Sequence, residues 1–119
     1  IHEDNKILSV HSRKAEKEVL DILRKHSIKN VIFHWYSGPL ELIDEIICAG
    51  YYFSINESMT ISLAGQKIIS KIPQNRILTE TDEPFNKHPN ISNAIANMGL
   101  NEKIIHSNFM TLIKSINVI

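Results

Sequence analysis

The sequence predicts an α/β domain in which parallel strands are joined by helices. Two observations carry this. Short apolar runs alternate with longer stretches whose apolar residues recur at helical spacing. Three of the short runs also end on a side chain able to bind a metal ion: His11, His34 and Asp82. The 119 residues suffice for one domain, 1–119, with a sizeable core.

The elements read in order as follows. Ile7 to Val10 is a strand leading to His11. Lys14 to Lys25 is a helix, with Ala15, Val19, Ile22 and Leu23 on one face and Lys14, Lys17, Asp21 and Arg24 on the other. Glu16, Glu18 and Asp21 interrupt the basic residues of this helix, so it reads as a solvated face of mixed sign. Val31 to Phe33 is a wholly apolar strand, as one buried on both faces should be. Pro39 suits the first turn of a second helix, whose buried stripe is Leu40, Ile43, Ile46 and Ile47 and whose stop is Gly50. Tyr51 to Ile55 is the third strand. A helix beginning near Thr60 or Ser62 runs towards Ile72, where Pro73 ends it. Arg76 to Thr81 is the fourth strand, 83–90 a loop, and Ile91–Met98 and Glu102–Ile116 two further helices. The order β-α-β-α-β-α-β-α favours right-handed parallel connections. It fits an open four-stranded sheet or half of an eight-stranded barrel, and periodicity does not separate the two.

Composition narrows the function little. Thirteen basic residues balance thirteen acidic ones, so no global charge announces nucleic acid, although a local patch can still serve. The single cysteine, Cys48, cannot form an internal disulfide and reads as a small buried hydrophobe, which fits a reducing cytoplasm. No apolar run approaches the roughly 20 residues of a membrane span, and nothing at the start resembles a signal peptide. The first residue is Ile rather than Met, from which a start inside a longer natural chain is expected.

The strand-end ligands carry the chemistry. Two imidazoles and a carboxylate at the same end of nearby parallel strands would converge on one point, and in a (β/α) barrel that end is the catalytic face. The set suits zinc or a similar divalent ion, which makes a hydroxide nucleophile near neutral pH. A lone strand histidine is more often packing than ligation; the ordered set of three reverses that reading. Glu80, two residues before Asp82, points to the same side of its strand. Ser12 and Ser37 lie beside histidines, but no matched carboxylate orients either histidine as a serine triad requires. Trp35 and Tyr36 read either as base-stacking groups or as packing at the rim. His26 sits where a helix C-terminus favours a cation, His88 lies in the loop after Asp82, and His106 has no assigned chemistry.

The wording of these segments resembles the TatD-family metal-dependent deoxyribonucleases. The matching pieces are His11-Ser12-Arg13 with Ala15, His34 with Tyr36-Ser37-Gly38, the glycine, aromatics and serine of Gly50 to Ser54, Glu80-Thr81-Asp82 with Pro84, and Asn108-Phe109 with Leu112. Segments 34–38 and 52–56 look closest to the TatD-like component of bacterial anti-phage Qat systems. The resemblance implies the C-terminal (β/α)4 half of a TIM-like (β/α)8 barrel of the metal-dependent hydrolase type. It implies hydrolysis of nucleic-acid phosphodiesters, with His11, His34 and Asp82 on a divalent ion (Zn, Mg or Mn) and Asp82 also orienting or deprotonating water. Glu80 then reads as a hydrogen-bonding partner behind the ligands. Arg13 reads as a phosphate clamp or, equally, as an ion-pair partner. The family's H-x-H pair on its first strand and a further Glu are not matched; His2 and Glu3 are the only early candidates, and they precede the strand ending at His11.

Three functions follow as expectations. The leading one is a cytoplasmic, non-membrane TatD-like nuclease acting on nucleic acid, most simply DNA, of which this chain carries part of the metal site. The second is a non-catalytic half-barrel with a structural or interaction role. The third is a hydrolase of the same broad type acting on a small substrate. A half-barrel leaves open sheet edges and an uncovered interior face, so the missing N-terminal half or a second copy is the expected partner.

Overall fold

The computed structural model describes residues 7–79 and 91–116. Four strands, β1 (Leu8–Val10), β2 (Val31–His34), β3 (Tyr52–Ile55) and β4 (Ile77–Thr79), form one parallel sheet in the order β1-β2-β3-β4. Leu8 lies opposite Val31, Ile32 opposite Tyr52, and Phe53 opposite Ile77. The connections are α1 (Glu16–Lys25), α2 (Glu41–Cys48), and the pair α3 (Glu57–Ile61) and α4 (Leu63–Ser70), followed by a 3-10 turn at Gln74–Arg76. Beyond residues 80–90 come α5 (Ile91–Asn97) and α6 (Glu102–Ile116).

Alternation along each strand sorts the side chains into two sets. Val31, Phe33, Phe53, Ile55 and Ile77 face the helical layer and form one core with Leu20 and Leu23 of α1, Ile43 and Ile46 of α2, Met59 of α3 and Ile68 of α4. All four connecting helices therefore lie on one face. A strand order that never reverses, with every crossover on the same side, is the winding of a (β/α) barrel; a doubly wound sheet reverses and has helices on both faces.

The opposite face is smaller and less apolar. Tyr52 and Leu78 pack there with Leu112 of α6, and with Ile7 and Ile32 at their edge. Asn108 anchors α6: its buried Nδ2 donates to the backbone oxygens of Gln74 and Ile77, both at 2.7 Å. One amide with two hydrogens thus meets two carbonyls, one in the 3-10 turn and one at the first residue of β4. An entirely uncovered second face is therefore not what the chain shows, because α6 lies over part of it.

Several expected details are corrected. The helix expected to begin near Ser62 is present as α4, and a separate short helix, α3, precedes it. Asn56 Oδ1 accepts from Met59 N at 2.9 Å and starts α3, and Ser62 Oγ accepts from Gly65 N at 3.0 Å and starts α4. Ile22, placed by periodicity on the buried side of α1, is 58% exposed. Cys48 is exposed, since it falls in the last turn of α2 on the side away from Ile43 and Ile46. Glu16, read as solvated, is buried. Gly50 does end α2, with a φ of +85° that L side chains rarely adopt.

Candidate functional site

The strand register places the first two candidate ligands together. Val10 lies opposite Phe33, so His11, one residue past β1, comes level with His34 at the end of β2. Their imidazole rings meet edge to face with centroids 4.3 Å apart. His34 lies opposite Ser54 on β3, and Ser54 Oγ is 3.2 Å from His34 Nδ1. In the sequence Ser54 stands out only as part of the Gly50 to Ser54 signature, with no role of its own. The signal was present in the two-residue period, which puts Ser54 on the same face as Tyr52 and level with His34.

The hydrogen bond has a chemical consequence. Ser54 Oγ is able to accept a proton held on His34 Nδ1, and in that tautomer the metal-binding lone pair sits on Nε2. That is the tautomer and the restraint a metal-binding histidine needs. Two imidazoles held this closely suit a divalent ion with nitrogen ligands. Among the described residues there is no cluster of three or more His, Cys, Asp or Glu side chains that could hold an ion. Glu80 and Asp82 lie outside the described residues, as does His88.

The two loops that carry these histidines are locked to each other. After β1 the chain turns through Lys14, whose φ is +62° and whose N–H donates to Glu16 Oε2 at 3.1 Å. After β2 it turns through Trp35, φ +51°, which delivers Tyr36 into the core beside Phe33 and Phe53. Gly38 closes the contact. A Cβ there would stand 2.5 Å from Glu16 Cγ and 2.9 Å from Tyr36 Oη, so the glycine of this loop is a packing requirement. Tyr36 Oη donates to the Pro39 carbonyl. Burial, with the nearby Glu16 and Glu41 carboxylates, holds the Tyr36 hydroxyl far above its ordinary range. Arg13 is exposed on the first of these loops.

Below the histidines a cavity of about 600 Å³ runs along the second face of the sheet, lined by His34, Ser54, Ile32 and Leu78 from the strands and by His106 and Phe109 from α6. Glu102 lines it too, one turn before His106. Arg76 stacks over the Tyr52 ring at 5.2 Å. No helix among the described residues is long and apolar enough to cross a membrane.

The sequence profile of the TatD related DNase family matches residues 2–107. TATDN3 of Mus musculus is 38% identical over 77 residues, covering 65% of this chain and 26% of the mouse protein. Deoxyribonuclease TATDN3 of Homo sapiens is 34% identical over 77 residues, 65% of this chain and 28% of the human protein. An uncharacterized metal-dependent hydrolase of Methanocaldococcus jannaschii is 34% identical over 81 residues, 68% of this chain and 32% of that protein. The aligned stretch is thus about a third or less of the length of these relatives.

Proposed function

The chain belongs to the TatD related DNase family, and from that premise we propose that it supplies part of the active site of a metal-dependent phosphodiester hydrolase acting on nucleic acid, DNA first. The observation that carries the reading is the pair His11–His34, side by side at the strand ends with Ser54 on Nδ1 of the second. Asp82 is proposed as the third ligand and Glu80 as the carboxylate behind it.

A divalent ion (Zn, Mg or Mn) held there would supply a hydroxide near neutral pH and a Lewis acid for the phosphoryl oxygens. The residues do the rest. His34 is held in orientation by Ser54. Asp82 orients the attacking water and takes its proton. The Arg13 guanidinium, exposed on the neighbouring loop, pairs with a phosphate of the substrate. A role in anti-phage defence in the cytoplasm, through a Qat-type system, is the proposed setting.

The same reading makes the sheet the C-terminal (β/α)4 half of a (β/α)8 barrel. Its support is the unreversed strand order with all four connecting helices on one face. The partner is then the N-terminal barrel half or a second copy of the chain, seated along the cavity face. Sedimentation of this chain alone tests it: self-association, or capture of the N-terminal half, is expected, and a well-folded monomer at micromolar concentration overturns it.

The activity test uses the protein with its N-terminal half present. Hydrolysis of a DNA oligonucleotide should be abolished by a chelator and lowered about 10²–10⁴-fold by Asp82→Asn, the usual range for losing a group that moves a proton. Unchanged rates in Asp82→Asn would remove that residue from the mechanism. Absence of hydrolysis with metal supplied would favour the second reading, a non-catalytic half-barrel.

A further inference from the structure

Trp35, the one tryptophan of the chain, stands where a tryptophan is least comfortable. Its φ of +51° is in the left-handed region, which bulky side chains rarely enter. Its side chain is also 53% exposed, although burying an indole is among the largest apolar contributions available to a fold. Tyr36 beside it does the opposite at 1% exposure. The turn at Trp35 makes this division, sending Tyr36 into the core and leaving the indole outside.

Other exposed apolar residues do not share this pairing of features. Ile22, Ile61 and Leu63 are exposed but have no backbone strain, and scattered exposed hydrophobes are ordinary. Strain and exposure coincide at Trp35 alone among the large apolar side chains of the described residues, and Trp35 directly follows His34. Its N–H donates to the Ser54 carbonyl at 3.3 Å, while the Ser54 hydroxyl meets His34. One residue therefore holds both the Trp35 peptide and the histidine ring, which places the backbone that carries the indole beside the candidate metal ligand.

We propose that Trp35 is a stacking platform for an unpaired nucleobase, that of a nucleotide flanking the phosphodiester held at His34. This rests on the nuclease reading above. An indole face accepts any base, because every base has a π-face. It favours bases that are not already stacked and paired, so the platform selects single strands and frayed ends over duplex interiors.

The tryptophan is its own probe, its emission read as the difference between the wild type and Trp35→Phe. In the full-length protein, with metal omitted to prevent turnover, a short thymidylate oligomer should quench the emission saturably. An abasic deoxyribose-phosphate oligomer of equal length should not. Trp35→Ala should weaken binding of the thymidylate oligomer roughly 5- to 150-fold, the range for one base–aromatic stack, and leave the abasic oligomer unchanged; Trp35→Phe should restore most of the loss. Trp35→Gly relaxes the backbone, so it should raise the melting temperature while lowering thymidylate affinity. Binding without quenching, no binding, equal losses for both oligomers, or a lower melting temperature in Trp35→Gly would each overturn the platform. Chelator-sensitive hydrolysis of bis(p-nitrophenyl) phosphate separates the two ideas: if it persists while quenching is absent, the platform fails and the hydrolase reading stands.

Discussion

On the helix-covered face of the sheet, Val31, Phe33, Phe53, Ile55 and Ile77 are apolar without exception and closed off from water. On the other face the same strands present Ser9, Ile32, His34, Tyr52, Ser54 and Leu78, and a cavity runs over most of them. Successive residues of one strand thus serve different ends. Phe33 is fully buried and His34 only half-buried, so the core residue fixes the height and angle at which the histidine leaves the strand. Stability is concentrated on one side and the candidate site lies on the other, and the backbone between them transmits position from the first to the second.

The largest effect that would break this comparison is expected from Phe53→Ala. The ring touches Phe33 and Tyr36, and its loss should destabilise the fold by about 3–5 kcal/mol. Chemical denaturation would measure it; a loss below about 1 kcal/mol would mean that the helix-covered face is not the main core. Ser54→Ala comes next and acts on the other face. It should leave the unfolding midpoint nearly unchanged and weaken divalent-metal binding about 10–100-fold, as loss of a partner behind a metal-binding histidine does. Isothermal titration with Zn²⁺ reads this directly, and unchanged affinity would remove Ser54 from the site.

The smallest effect sharpens the comparison at the loop joining the two faces. Tyr36→Phe loses the hydrogen bond to Pro39, worth about 1 kcal/mol. Its pH dependence has a definite sign. Burial, then the Glu16 and Glu41 charges, raises the hydroxyl above its ordinary value of 10.0. A raised folded value favours the protonated form in the native state, so this stabilisation is complete below about pH 10 and is lost as pH climbs from there through the folded value. Urea midpoints from pH 8 to 11 should fall more steeply for the wild type than for Tyr36→Phe. Tyr51, also raised by burial, keeps some slope in both; identical slopes would detach Tyr36 from the alkaline loss.

Much of the fold is legible in the sequence because the strands are short, apolar and bounded by turn residues, and α1, α2 and α6 have clear periodicity. Ile22 is misread because its neighbour Leu23 takes the buried position and the angular step between them leaves Ile22 over the rim. Glu16 is misread because charge patterning is blind to a backbone N–H waiting at Lys14. The break between α3 and α4 is signalled by Asn56 and Ser62, each three residues before the amide it caps, but α3 is only five residues long, too short for periodicity to reveal it. The site is half legible. His11 and His34 stand out as strand-end residues, whereas Ser54 gains meaning only once register sets it against His34.

The Asn108 contact has a temporal side. Its amide reaches the Ile77 carbonyl across 31 residues of chain. At synthesis rates of roughly 5–20 residues per second, those residues take about 2–6 s to appear. Through that interval β4 has been made while the group that closes its first carbonyl has not, and the arrival of α6 supplies that group.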